Sequence, residues 1–201
     1  MNSELLQRLL EQIDRLNQDD PTAELIDGTS LPRELAYARR VTAWVLRLAP
    51  EASEWLRIAA RGQHVCRWTI PRERYPRTRA GYLRWRETLK TFHAKTVAAL
   101  MRQAGYAQEE LRQVESLILK KRPADDLEMR VLEDALCLVF LETQLAETRA
   151  KVPDETLREV LRKTWKKMSE RGRQEALALP MDAAQRAWLV AALKPREAES
   201  P

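Results

Sequence analysis

The sequence predicts an all-α protein, a single-domain helical bundle of about eight to nine helices, and three observations carry that expectation. Five glycines stand against 35 Lys+Arg and 30 Asp+Glu in 201 residues, a composition that favours helices over turn-rich β structure. Apolar residues recur at three- and four-residue spacing along most of the chain. Pro21, Pro50, Pro123 and Pro153 fall between these runs, where a helix has to stop or start. A chain of this length buries roughly 70% of the surface its unfolded form exposes, enough for one domain with a substantial core.

Taken in order, Leu5, Leu9, Ile13 and Leu16 mark an N-terminal helix within residues 1–20 that Pro21 ends. After the turn-like DGTS, Ser30 is the expected cap of a helix with Pro32 in its first turn, carrying Leu35, Ala38, Val41, Val45 and Leu48 inward. A third helix is expected over about 51–64. Residues 65–78 hold Pro71 and Pro76 without a clean period and read as an ordered, Arg- and aromatic-rich loop. A long helix follows over about 79–103, stopped by Gly105. Leu111, Val114 and Ile118 mark the next, and a helix of about 125–149 comes after Pro123. Pro153 opens another with Leu157, Val160, Leu161 and Trp165 on one side. Ser169 is the expected cap of a short helix, and Asp182 with Gln185 has the spacing of a capping box for the last one. The expected organisation is an N-terminal helix (1–20), a core (31–149), C-terminal helices (150–195) and a frayed tail (196–201).

Two cysteines, Cys66 and Cys137, are too few for a disulfide framework, and the first residues lack the basic, then continuously apolar, pattern of a signal peptide. No apolar run approaches the eighteen or so residues of a membrane span. A cytoplasmic location is therefore expected. GxxxxGK[ST], GxGxxG, CxxC and HExxH are all absent, which argues against P-loop, Rossmann and zinc-finger chemistry.

The net charge is +5, and its distribution is uneven. Residues 61–90 contain nine basic and two acidic side chains, a balance of +7, which leaves −2 for the rest of the chain. Arginine forks match phosphate and carboxylate geometry, and aromatic faces stack on bases or guanidinium groups. Arg67, Trp68, Arg72, Tyr75, Arg79, Tyr82 and Arg86 are accordingly the candidate substrate-binding residues, the last helical trio sharing one face at three- and four-residue spacing.

The run at 129–142 is apolar almost all round, so the helix is expected to be central. Glu133 and Asp134 interrupt it. A buried carboxylate without a partner costs several kcal/mol, so at least one of them needs an arginine, a helix N-terminus, a metal or an opening to water. His64 and His93 are the only histidines and are candidate ligands.

Four stretches, AARGQHVCRWTIPRERYPRTRAGYLRWR, LKTFHA, LEDALCLVFLE and RKTWKKMS, resemble the uncharacterised family labelled domain of unknown function 4202 across most of the chain from about Leu31 to Leu179. More distantly, LRIAARGQHV, TFHAKTVAALMRQAG and VLEDALCLVFLE resemble the His-Asp, later His and final Asp helices of the HD superfamily of metal-dependent phosphohydrolases. That resemblance implies an HD-like fold and a divalent metal (Mn, Fe, Zn or Ni) held by His64, His93 and Asp134, with Glu133 as candidate catalytic base. Tyr37 stands where the first His belongs and Val65 where the paired Asp belongs. The expected function is hydrolysis of a small phosphorylated or nucleotide-like substrate. The rival expectation is a non-catalytic nucleotide- or RNA-binding module using the basic 61–90 surface, and a third is a homodimer formed through tryptophans, Trp188 included.

Overall fold

A computed structural model, which describes residues 3–26, 28–123 and 125–193, has the expected all-α architecture, with ten α-helices and one short hairpin among the described residues. The single domain expected from length is built as two compact units, Met1–Leu132 and Glu133–Pro201. Among the described residues no helix is long and apolar enough to cross a membrane. The tail expected to fray lies outside the described residues, as does Asp27 of the DGTS turn.

In the first unit, α1 (Ser3–Gln18) buries Leu6 and Leu10 as well as Leu9 and Ile13, a wider stripe than the sequence pattern required. Residues expected only to turn form two antiparallel strands, β1 (Ala23–Ile26) and β2 (Thr29–Pro32), with Ile26 paired to Thr29. Gly28 sits between them at φ 79, a backbone conformation open to glycine without a Cβ penalty. Ser30 is therefore a strand residue and not the cap of α2 (Arg33–Leu48). That role passes to Asp20, whose carboxylate accepts from the backbone N–H of Glu34 at 3.0 Å and of Thr22 at 2.9 Å. A side chain fourteen positions upstream thus satisfies an orphan donor of the helix.

Ser53 caps α3 (Glu54–Arg61) by accepting from the Leu56 N–H at 3.1 Å. The helix ends before Gly62, earlier than His64, and glycine is required at 62 because a Cβ there would overlap Val97 of the next long helix. That helix, α4 (Arg79–Gln103), has the expected bounds and ends before Gly105 at φ 91. Between them the 65–78 segment is ordered, with short 3-10 turns at Arg67–Thr69 and Arg72–Arg74. Thr78 then caps α4 by accepting from the Gly81 N–H at 3.1 Å. α5 (Gln108–Ile118) completes the packing through buried Leu111, Val114, Leu117 and Ile118.

The helix expected over 125–149 is three pieces. α6 (Leu127–Val139) gives way to a π turn at Phe140–Gln144 and then to α7 (Leu145–Lys151). The second unit continues with α8 (Asp154–Lys167), α9 (Glu170–Ala178) and α10 (Ala183–Leu193). Ser169 caps α9 and Asp182 caps α10, as their positions predict. On α8, Leu157 and Leu161 are buried but Val160 is exposed. Trp188 is buried, its indole N–H donating to Asp154 at 2.8 Å, so its large face is covered within its own unit.

Candidate functional site

The first two turns of α2 carry Glu34 and Tyr37, three residues apart and hence on one side of the helix. Glu34 is 3% exposed. Across from it, residues 62–66 turn out of α3 and present His64, which donates Nδ1–H to Glu34 Oε2 at 3.0 Å. A carboxylate can only accept, so the proton sits on Nδ1. The Tyr37 ring stacks on the imidazole at 3.8 Å between centroids and 7° between planes. Arg67 and Arg33 bring guanidinium nitrogens to 3.8 and 3.6 Å from the other Glu34 oxygen.

The turn that holds His64 is fixed by polar contacts inside the first unit. Asn17, fully buried at the end of α1, accepts from the Cys66 N–H at 3.0 Å and reaches the Glu34 carbonyl at 3.5 Å. Cys66 takes the left-handed conformation at φ 52, rare for a residue with a side chain. The adjacent Val65 is buried, and its carbonyl accepts from His93 Nδ1 at 2.9 Å.

His93 lies on α4, buried, with its ring 5.9 Å from that of His64. Because a carbonyl accepts its Nδ1–H, the other nitrogen is a bare lone pair when the ring is neutral. That Nε2 is buried and has no hydrogen-bond partner among the described residues. Burial, then the neighbouring His64 and Arg67, hold the His93 pKa down to about 3, so the ring is neutral near pH 7. Burial also lowers His64, against the opposing pull of Glu34. Burial raises Glu34, but the His64 hydrogen bond and the nearby guanidinium charges of Arg67 and Arg33 outweigh it and keep the carboxyl below its ordinary range. The cluster is therefore an ionised carboxylate with two neutral imidazoles.

The sequence-derived residues separate into two groups. His64, His93 and Arg67 come together with Glu34 and Tyr37. Arg67 also lies over the buried Trp85 ring at 4.7 Å, whose indole N–H donates to the Ile70 carbonyl at 2.9 Å. Arg72 donates to the carbonyls of Tyr75 and Pro76, at 2.8 Å each, and so clasps its own loop. Trp68 and Tyr75 are half-buried. Arg79, Tyr82 and Arg86 are exposed on α4, with Arg86 donating to the Tyr82 hydroxyl at 3.4 Å.

Glu133 and Asp134 belong to the second unit. Asp134 is buried, and its carboxylate accepts from the backbone N–H of Ser169 at 3.0 Å and from the Ser169 hydroxyl at 2.5 Å. Of the four partners a buried carboxylate could have here, the structure supplies a helix N-terminus, that of α9. Gly172 accommodates the contact, since a Cβ there would come within 2.6 Å of the carboxylate carbon. Asp134 is thus a helix anchor, and the ligand role expected of it is not carried further. Glu133 is half-exposed on α6. Among the described residues, no group of three or more His, Cys, Asp or Glu side chains is arranged to hold a metal ion.

Glu34 escaped the sequence reading. An acidic residue in a helix's first turn is ordinary. The available signal was its spacing of three from Tyr37, the position that the HD resemblance matched to a ligand.

These features define an all-helical protein with a buried carboxylate–histidine pair beside a second, unsatisfied histidine. The chain belongs to the family described as Domain of unknown function (DUF4202), whose sequence profile matches residues 7–189. Comparison with curated proteins and with solved structures finds no match.

Proposed function

We propose that the chain hydrolyses a small phosphorylated or nucleotide-like substrate, with Glu34, His64 and His93 as its chemical centre. The observation that carries this reading is the bare, buried Nε2 of His93 beside a second imidazole that a buried carboxylate orients. An unsatisfied buried acceptor costs about 1–3 kcal/mol, which folding alone does not reward. A carboxylate or carbonyl on Nδ1 is the usual outer partner of a histidine that binds metal through Nε2.

The distant HD resemblance implies a divalent ion. His64 and His93 are the residues that would hold it, and it would supply Lewis acidity toward a phosphoryl oxygen. The chain's own contribution is orientation and charge. Glu34 fixes the tautomer and angle of His64, Tyr37 covers one face of that ring, and Val65 fixes His93. Arg67, anchored on Trp85 and half-exposed, offers guanidinium N–H groups to a phosphate. No step is assigned to Glu133.

The test is metal content by plasma mass spectrometry on untagged wild type, His64→Ala, His93→Ala and Asp134→Asn, followed by a phosphatase and nucleotidase screen. Near-stoichiometric Mn, Fe, Zn or Ni, lost in both histidine variants but kept in Asp134→Asn, is the expected result. Wild type that stays empty after dialysis against these ions and turns over no phosphate ester would sink the reading.

A second reading is favoured by a separate observation. Arg77, Arg79 and Arg84 are exposed and make no ion pair among the described residues, next to exposed Tyr82. Such a surface suits a nucleotide or RNA. Binding to single-stranded RNA would then weaken with salt at a log–log slope of roughly −0.7 per neutralised phosphate, and Arg79→Ala would make that slope shallower.

A further inference from the structure

The second unit contains a cavity of about 230 Å³ at the place where its long helix changes type. Leu141 and Glu142 of the π turn line it. A π turn inserts an extra residue into helical spacing, and Gln144 at its end is displaced to φ −117, ψ −13. Such bulges sacrifice regular helical bonding and occur frequently at functional sites. Here the bulge and the cavity coincide.

The walls are about equally polar and apolar, the apolar part coming from Leu145 of α7, Met181 of the turn before α10, and Trp188 of α10 beside Leu141. Trp188 is a fixed wall, held by its hydrogen bond to Asp154 and by Arg158 at 5.4 Å from its ring. Two charged side chains of opposite sign also line the space, Glu142 and Arg149. The Arg149 guanidinium carbon lies over the Trp188 ring, 4.6 Å from its centroid. Its charge also reaches Asp154 nearby.

We infer that this cavity binds a small apolar α-amino acid. Its carboxylate would pair with Arg149, its ammonium with Glu142, and its side chain would lie against Leu141, Leu145, Met181 and Trp188. One cation and one anion beside an apolar patch of Leu141, Leu145, Met181 and Trp188 complement a zwitterion with an apolar side chain. A simple anion would face the Glu142 carboxylate, and a simple amine would face Arg149. The volume lies below the roughly 300 Å³ at which drug-sized pockets begin, which limits the ligand to a branched-chain or single-ring side chain.

Calorimetric titration of the full chain with L-leucine, L-methionine and L-phenylalanine tests the inference. 3-Phenylpropionate and phenethylamine serve as comparators that each lack one charge. At least one amino acid should bind with 1:1 stoichiometry, and each comparator should bind at least about tenfold more weakly than L-phenylalanine or not at all. Arg149→Gln and Glu142→Gln, both at exposed positions, should each weaken binding about tenfold while the variants still unfold cooperatively. Leu145→Trp, which fills the cavity, should abolish it. Absence of binding for all three amino acids at millimolar concentration overturns the inference, as do comparators that match phenylalanine. Because Leu145→Trp alters a buried position, the two charge variants decide, and wild-type affinity in both overturns it too.

Discussion

Glu34 in the first unit and Asp134 in the second are both buried carboxylates, 3% exposed each, and they are stabilised by different means. Among the described residues Asp134 accepts from Ser169 alone, from a backbone N–H and a hydroxyl at the start of α9. Neither donor titrates near neutral pH. Glu34 accepts from an imidazole, with two guanidinium groups within 4 Å. The Asp134 arrangement ties two helices together and leaves no reactive group behind. The Glu34 arrangement orients a second titratable group whose other nitrogen remains a lone pair. Burial of a carboxylate alone therefore does not mark a functional site; the chemistry of its partners does.

The largest expected effect separates these roles. Asp134→Ala removes two charge-assisted hydrogen bonds and leaves the α9 N-terminus without its acceptor, a loss of about 3 kcal/mol in unfolding free energy. Glu34→Ala leaves the half-exposed His64 without its acceptor, and water can replace it in part, so the loss should be about 2 kcal/mol. The isosteric amides sharpen the contrast. In Glu34→Gln the amide oxygen still accepts from His64, and most of the stability should return. In Asp134→Asn the amide oxygen can keep the backbone N–H, but the NH₂ group then faces the Ser169 hydroxyl, which must turn its hydrogen away and lose its acceptor, so less stability should return. Urea denaturation of the four variants measures all of this. Equal rescue by both amides would mean that the two sites do not differ as described.

The same pair shows what was legible in the sequence. Asp134 stood out because it interrupts an apolar run, and a helix N-terminus was among the partners such a residue requires. Glu34 sits in an ordinary amphipathic helix start. Its burial comes from Asn17, the 62–66 turn and α4, all remote in sequence, so no local pattern announces it. The hairpin was hidden in a similar way. Ser30 and Pro32 have the look of a helix start, and only Asp20, reaching back to the Glu34 N–H, shows which residue performs the capping. The π turn at Phe140–Gln144 contains neither Pro nor Gly and leaves the helical period almost intact. The long helix α4, the ordered Arg-rich loop and the Ser169 and Asp182 caps were legible because each rests on local residue chemistry.

A smaller effect follows from protonation and belongs to the first unit. Burial lowers the pKa of both His64 and His93, the latter to about 3. Unfolded histidine titrates near 6.5. As pH falls below that value, the unfolded chain takes up protons that the folded cluster refuses, so stability declines. His93 contributes a slope approaching about 1.4 kcal/mol per pH unit, and His64 acts in the same direction. Glu34 is lowered too, so its contribution is complete above about 4.5 and is lost only as pH falls through its depressed folded pKa. Between pH 6.5 and 4.5 the histidines therefore account for this cluster's acid sensitivity. His93→Asn keeps an N–H for the Val65 carbonyl and removes the titration. Urea midpoints at pH 7.5 and 5.5 should lie closer together in this variant than in wild type, and an unchanged separation would show that His93 protonates freely in the folded state.

The smallest effect compares two serine caps. Ser53 accepts from Leu56 N–H and serves α3 alone, so Ser53→Ala should cost about 1 kcal/mol. Ser169 accepts from Gly172 N–H while its own hydroxyl donates to Asp134. Its replacement by alanine removes a cap and, in the same step, one of the carboxylate's two donors. Ser169→Ala should therefore cost about 1 kcal/mol more than Ser53→Ala. The excess should vanish in an Asp134→Ala background, where the hydroxyl has no carboxylate to serve, and a double-mutant cycle reads that coupling directly. Additive losses would mean that the hydroxyl only caps α9 and that the backbone N–H alone holds Asp134 in place.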